Sequence, residues 1–192
     1  DLISRCPGLR MIAEAATGYN NIDLGAAEKH GIHVANVPGY STTSVVQLTM
    51  TMLLMLSTNV LKYNEASHDG TWSRSPVFTL GSWRFSDLEG KTAGIMGYGA
   101  IGSQVARLCR AFGMNVVALK RDDSHKGDVA RLGAADLAAA SDFICVHMPL
   151  TDYSRHIINR DFFRLMKPTS FLINMARGAI VEDPKLYVSD IE

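Results

Sequence analysis

Apolar and polar positions along the chain fall into short blocks whose period changes several times. Residues 9–13 form a brief apolar run and predict a strand. Thr17-Gly18-Tyr19-Asn20-Asn21 is turn chemistry, and Asp23 stands where the N-cap of a helix through about Lys29 would stand. Gly31 ends that helix, and residues 32–35 predict a second short strand. Residues 43–68 carry helix formers without Gly or Pro, and the first half is apolar on nearly every side. That pattern predicts one long buried helix, stopped by Asp69-Gly70. Residues 71–89, with Trp72, Pro76, Gly81 and Trp83, read as a surface loop with packed aromatics. A regular alternation then begins. Strands are expected over 92–96, 115–119, 143–147 and 171–174, helices over 101–112 and 161–166, and Ala-rich helical segments between 128 and 140. Strand and helix alternating at this spacing means βαβ units. The expected fold class is therefore α/β, a doubly wound parallel sheet. Pro38-Gly39 is the expected crossing between two domains, 1–38 and 39–192.

Composition narrows the class. The 192 residues are 47% hydrophobic and 20% charged, with a formal net charge of zero. That is ordinary globular usage, and it offers no electrostatic basis for binding nucleic acid or an anionic membrane. The most apolar stretch, 45–56, is shorter than the roughly 18 residues a membrane span needs. The opening residues Asp1-Leu2-Ile3-Ser4-Arg5 lack the pattern of a secretory signal. Cys6, Cys109 and Cys145 form no CxxC pair, which argues against a disulfide framework or a zinc site. No metal is expected, Cys109 and Cys145 are expected to be small buried hydrophobes, and the cytoplasm is the expected compartment.

The chemistry is concentrated after residue 90. Gly97-Tyr98-Gly99-Ala100-Ile101-Gly102 is a G-x-G-x-x-G directly after a predicted strand, and it opens a helix with Ile101, Val105, Leu108 and Phe112 on one side. That context makes the motif specific. Gly97 permits a tight turn, Gly99 lets a pyrophosphate approach the backbone, and Gly102 lets helix and strand pack closely. The helix N-terminus offers free N–H groups to phosphate. The second strand then runs into Lys120-Arg121 rather than an acid, with Asp122 and Asp123 following. Lys and Arg at that tip would attract a 2′-phosphate, which favours NADP over NAD. The alternative is that both are solvated charges and Asp122 or Asp123 serves NAD. Arg177, just past the strand at 171–174, lies where parallel strands border a ligand crevice. A guanidinium there can grip a carboxylate and polarise a neighbouring carbonyl, or simply brace a turn.

Taken in order, these segments resemble the D-isomer-specific 2-hydroxyacid dehydrogenases, near the glycerate dehydrogenase and hydroxypyruvate reductase branch. The resemblance rests on Thr17-Gly18-Tyr19-Asn20-Asn21-Ile22-Asp23, Asn36-Val37-Pro38-Gly39-Tyr40-Ser41-Thr42, the glycine loop, His147-Met148-Pro149-Leu150-Thr151 and Asn174-Met175-Ala176-Arg177-Gly178. It implies a Rossmann domain and a remnant of a flavodoxin-like substrate domain. It also implies hydride transfer between NADP (preferred) or NAD and a small 2-oxo or D-2-hydroxy acid such as hydroxypyruvate, glycerate or glyoxylate. On this resemblance Thr17 and Gly18 would meet the substrate carboxylate with Tyr40 as helper, and Arg177 would orient the carboxylate and 2-oxo group. Met148, Pro149 and Thr151 would line the adenosine side, and Met175 and Ala176 the nicotinamide side. His147 is expected to pack against or cap the cofactor site rather than act as a base. The family's glutamate and histidine pair lies downstream of the arginine, and no histidine follows His156 in these residues. The final hexapeptide from Tyr187 resembles a later family strand, so a segment is expected to be missing between Leu186 and Tyr187, with Asp190 the aspartate that meets the nicotinamide amide. A homodimer is implied. The alternative function is a dinucleotide-binding, corepressor-like module or an inactive truncated form.

Overall fold

Asp23 caps the first helix as its position demands: its side chain accepts a hydrogen bond from the Ala26 N–H at 2.8 Å. Helix α1 follows over Leu24–Lys29, and Gly31, at φ 64°, makes the left-handed turn out of it. This helix connects β1 (Met11–Ala13) to β2 (His33–Ala35), which pair in parallel with Met11 opposite His33. The computed structural model describes residues 2–83, 85–120 and 129–182, and the chain divides into two units, 1–44 and 45–192. The β1–α1–β2 piece belongs to the first.

The long apolar stretch departs from expectation. It forms two helices, α2 (Thr42–Thr58) and α3 (Val60–His68), bent by 69° at Asn59. Asn59 sits in the left-handed region at φ 53°, ψ 31°, a conformation that Asn tolerates better than most residues. Just before it, the hydroxyls of Ser57 and Thr58 both donate to the Leu54 carbonyl, at 3.1 and 2.7 Å, a pattern that bends helices. Nor is α2 buried all round. Val46, Thr49, Met50, Leu53 and Ser57 face the core, whereas Leu48, Met52 and Leu56 are exposed. Among the described residues no single helix is long and apolar enough to cross a membrane.

The second unit is built on five parallel strands. They are β3 (Thr92–Met96), β4 (Asn115–Leu119), β5 (Ala130–Leu132), β6 (Phe143–Val146) and β7 (Phe171–Asn174), in spatial order β5-β4-β3-β6-β7. Strands β3 and β6 occupy the middle and are buried along almost their whole length, which is why both read as continuous apolar runs. Register is set by Ile95 opposite Ala118 on one side and Cys145 on the other. Helices α4 (Ala100–Ala111), α5 (Ala134–Ala140) and α6 (Arg160–Leu165) supply the connections and cover. The buried face of α4 is Gly102, Val105, Ala106 and Cys109, rotated from the stripe expected through Phe112, which is exposed. Small residues at those positions let the helix approach the sheet, and the bulkier Leu108 packs at the margin.

Between 128 and 140 the expectation of helix alone fails. Ala130–Leu132 is the edge strand β5, with Ala118 opposite Arg131. The partner strand decides: Lys120 N–H donates to Leu132 O at 2.8 Å, so pairing overrides alanine's helix propensity. Cys109 and Cys145 are buried as expected. Burial pushes the Cys109 thiol up to about 11 and the Cys145 thiol higher still, so neither is a nucleophile at neutral pH.

Candidate functional site

Strand order reverses between β3 and β6, because the chain leaves β3 for β4 on one side and returns to β6 on the other. The carboxyl ends of these two strands form the crevice at that switch point. Gly97 follows β3 at φ 102°, and a Cβ there would lie 2.6 Å from the Met148 backbone N and 2.7 Å from the His147 carbonyl carbon. Only glycine allows the two strand ends to touch this closely. At Gly102 a Cβ would run into the Gly97 carbonyl oxygen and come within 2.9 Å of Ile95 Cγ2. Gly99 differs. A Cβ built on it meets nothing within 4 Å, so its bare backbone faces open space. It is also the N-cap of α4, and the first N–H groups of that helix have no partner within it.

The open space is a cavity of about 520 Å³ lined by Gly97, Tyr98, Gly99, Lys120, Arg131 and His147, with Leu119, Met148, Pro149, Thr151 and Tyr153 completing the wall. Its far rim is held by the buried Ser154, whose hydroxyl donates to Pro149 O and accepts from the Thr151 N–H, both at 2.7 Å. His147 is fixed by its own backbone, which donates to Met96 O at 2.7 Å. Neither of its ring nitrogens has a hydrogen-bond partner among the described residues. Burial lowers its pKa to about 4, so the ring is neutral at physiological pH and has one N–H to give and one nitrogen to accept. Across the cavity the Arg131 guanidinium lies 4.4 Å over the Tyr98 ring, and its Nε is buried without a partner among the described residues.

Of the residues expected at the cofactor, Gly97, Tyr98, Gly99, Lys120, His147, Met148, Pro149 and Thr151 come together on this cavity, with Ala100, Ile101 and Gly102 forming the helix start beside it. Met175 and Ala176 do not line it. They follow β7 and pack half-buried against the two core clusters, Met175 donating its N–H to Val146 O at 3.1 Å. Arg177 is exposed, with Nη1 donating to Ala176 O at 3.1 Å. In the first unit, Thr17 is tied into its turn. Its hydroxyl donates to Val37 O at 3.1 Å and its carbonyl accepts from Asn36 Nδ2 at 2.8 Å. Gly18 belongs to that turn, and Tyr40 is 62% exposed. Arg121, Asp122, Asp123, Asp190 and the Leu186–Tyr187 junction lie outside the described residues. Sequence reasoning missed Arg131 and Tyr153. Arg131 has a recoverable signal: it stands two residues after the buried Val129, at the period of a strand.

The donor set fits a dinucleotide. There is a glycine cradle at a helix N-terminus, two cations and a neutral imidazole on one groove, and buried nitrogens of Arg131 and His147 without a hydrogen-bond partner among the described residues. Among the described residues no group of His, Cys, Asp or Glu could hold a metal ion. Five parallel strands with this order and a glycine loop at the switch point define a dinucleotide-binding Rossmann domain.

Comparison with known proteins extends that class. Residues 50–189 match the family described as D-isomer specific 2-hydroxyacid dehydrogenase, NAD binding domain. A glyoxylate reductase from Aeropyrum pernix is 39% identical, the match covering 95% of this chain and 56% of the relative. A D-lactate dehydrogenase from Aquifex aeolicus, solved with NAD and lactic acid, superposes with a TM-score of 0.82 at 33% identity, covering 97% of this chain and 55% of that one. An acyclic imino acid reductase solved with NADPH and D-Arg gives 0.81 at 28% identity, covering 93% and 57%. The chain belongs to the D-isomer-specific 2-hydroxyacid dehydrogenase family, and it spans about half the length of the curated relatives it matches.

Proposed function

We propose that the protein is a reductase of small 2-oxo acids, converting them to D-2-hydroxy acids with NADPH in preference to NADH, and that glyoxylate and hydroxypyruvate are its substrates. The observation that carries the reading is the carboxyl end of the parallel sheet. The glycine loop, His147 and Met175-Ala176-Arg177 end three adjacent parallel strands, β3, β6 and β7, on the same side. The substrate class is supported by the curated relatives, among them glyoxylate reductases and a hydroxypyruvate reductase from Thermotoga maritima. NADPH is supported by Lys120 and Arg131 on the groove, where a 2′-phosphate would find positive charge.

When bound, NADPH would supply the hydride to C2 of the acid, and the 2-oxo oxygen would take up a proton drawn from solvent water. The residues of this chain do the rest of the positioning. The N–H groups at the start of α4 hold the pyrophosphate, and the loop from Met148 to Thr151, braced by Ser154, closes the adenosine side. Met175 and Ala176 would give the nicotinamide an apolar flank. Arg177 spends one of its N–H donors on Ala176 O, which leaves a fork for the carboxylate and for the negative charge growing on the 2-oxo oxygen. Thr17, Gly18 and Tyr40 belong to a β1–α1–β2 piece that fits part of a flavodoxin-like substrate domain, and they would offer hydrogen-bond donors to a substrate carboxylate. His147 is not the proton donor in this reading, since burial keeps the ring neutral at physiological pH and its one N–H then donates a hydrogen bond rather than a proton.

Two copies pair through the exposed apolar face of α2 and α3, where Met52, Leu56 and Leu61 border a groove of about 500 Å³, and the protein works in the cytoplasm. Light scattering reads the pairing directly. The function is tested by following NADPH consumption with glyoxylate and hydroxypyruvate. Arg177→Lys is expected to lower kcat/KM by about 100-fold or more, because a point charge replaces the fork. Turnover unaffected by that change would overturn the assignment.

A further inference from the structure

We propose that Arg131, on the edge strand β5, is the residue that selects NADPH over NADH: stacked on Tyr98, it forms with Lys120 the subsite for the adenosine 2′-phosphate. The inference rests on the NADPH reading of the same groove and adds a determinant from a different strand than the one whose tip carries Lys120-Arg121.

Four observations converge on it. Arg131 stands two residues after Val129, which precedes β5 and is buried in the core cluster that contains α4 residues, and Arg131 pairs with Ala118 of that same cluster. Arg131 lines the cavity at the carboxyl ends of the strands. Its guanidinium lies 4.4 Å over the ring of Tyr98, the second residue of the glycine loop, so a planar cation is clamped beside the phosphate cradle rather than left to swing in solvent. Its Nε is buried and has no acceptor among the described residues, and Arg131 makes no ion pair with any described carboxylate. Lys120, the other cation on the groove, is held next to it by the Lys120 N–H to Leu132 O bond of 2.8 Å. No described residue lining the cavity is acidic. An ordered guanidinium, an adjacent ammonium and a missing acceptor together describe a dianion site, and a 2′-phosphate is the part of NADPH that NADH lacks. A ribose diol would ask instead for a carboxylate.

The test uses adenosine fragments, so that it reads binding without turnover. Calorimetry on the purified protein compares 2′,5′-ADP with 5′-ADP for the wild type, Arg131→Gln, Arg131→Lys and Tyr98→Leu. The wild type is expected to favour 2′,5′-ADP. Arg131→Gln should reduce that preference by about 10- to 100-fold, the worth of hydrogen bonds to a charged group, while leaving 5′-ADP binding unchanged. Arg131→Lys should fall between, and Tyr98→Leu should lose part of the preference although no charge is removed. Unchanged 5′-ADP binding also certifies the fold of each variant. A wild type that shows no preference would sink the NADPH reading and this inference with it. A wild-type preference that survives Arg131→Gln would overturn the inference alone, leaving selection to Lys120-Arg121. Equal weakening of both fragments would also overturn it, because Arg131 would then act on the adenosine as a whole.

Discussion

Gly97 and Gly99 stand two residues apart in one motif, yet alanine at each should damage a different property. At Gly97 the new Cβ would sit 2.6 Å from Met148 N and 2.8 Å from Met148 Cα, atoms of a central strand end that cannot rotate away, and φ is 102°. A left-handed backbone conformation costs an L-residue roughly 1–2 kcal/mol. Forcing backbone apart in a packed region adds about 1–3 kcal/mol. For a chain of this size each kcal/mol moves the melting midpoint by about 2–4 °C, so Gly97→Ala should melt roughly 4–20 °C below wild type. At Gly99 φ is −94° and the new methyl meets nothing within 4 Å, so the melting point should hold. The methyl instead occupies the approach of the pyrophosphate. An overpacking penalty of about 1–3 kcal/mol there weakens NADPH binding by roughly 5- to 150-fold. Thermal melts by circular dichroism and fluorescence titration with NADPH separate the two effects. Equal melting points for Gly97→Ala and wild type, or wild-type NADPH affinity in Gly99→Ala, would refute the division of labour argued from the glycine loop.

Three further outcomes follow from the same structure. Asp142 accepts from the Thr92 N–H at 2.8 Å and from Lys167 Nζ at 3.1 Å, so Asp142→Ala strands a backbone donor at the start of β3 and should cost about 1–3 kcal/mol in urea unfolding; a loss below about 0.5 kcal/mol would contradict that accounting. Burial lowers the His147 pKa to about 4 from the ordinary 6.5, so the contribution of its neutral form to stability is fully present above pH 6.5 and is lost as pH falls toward 4. Compared with His147→Asn, the wild type should lose about 2–3 kcal/mol more between pH 7 and pH 4, read by denaturation at each pH, and parallel profiles would count against the buried neutral ring. Asn59 holds the left-handed bend between α2 and α3, so Asn59→Gly should be neutral or better whereas Asn59→Val should destabilise by about 1–2 kcal/mol; equal melting of the two would show that the bend is not set by this residue.

Much of this was legible in the residues, for physical reasons that differ along the chain. Strand β3 is apolar from Ala93 to Met96 and stops at Gly97, and the observed Thr92–Met96 coincides with the expected 92–96. Strands β4 and β7 coincide likewise, each a short, mostly apolar run bounded by turn residues. The edge strand β5 is opaque for the opposite reason: three residues, one of them Arg131, set among alanines, become a strand only through pairing with β4. The bend at Asn59 leaves no Gly or Pro to announce it, since it depends on one asparagine and on hydroxyl bonds that form only once the helix exists. In the site, the glycine motif and Lys120 are readable because spacing ties them to strand ends, and the His147–Thr151 segment is readable through the family resemblance. Arg131 and Tyr153 belong to no motif, and the folded chain is what brings them to the cavity.

The central claim is that the β3–β6 crevice holds NADPH with its pyrophosphate on the first turn of α4. A crystal structure of the protein grown with NADPH tests it most directly. The account predicts density for the pyrophosphate within hydrogen-bonding distance of the N–H groups following Gly99, and for the 2′-phosphate beside Lys120 and Arg131. A dinucleotide bound elsewhere on the chain, or a crevice left empty at saturating NADPH, would contradict it.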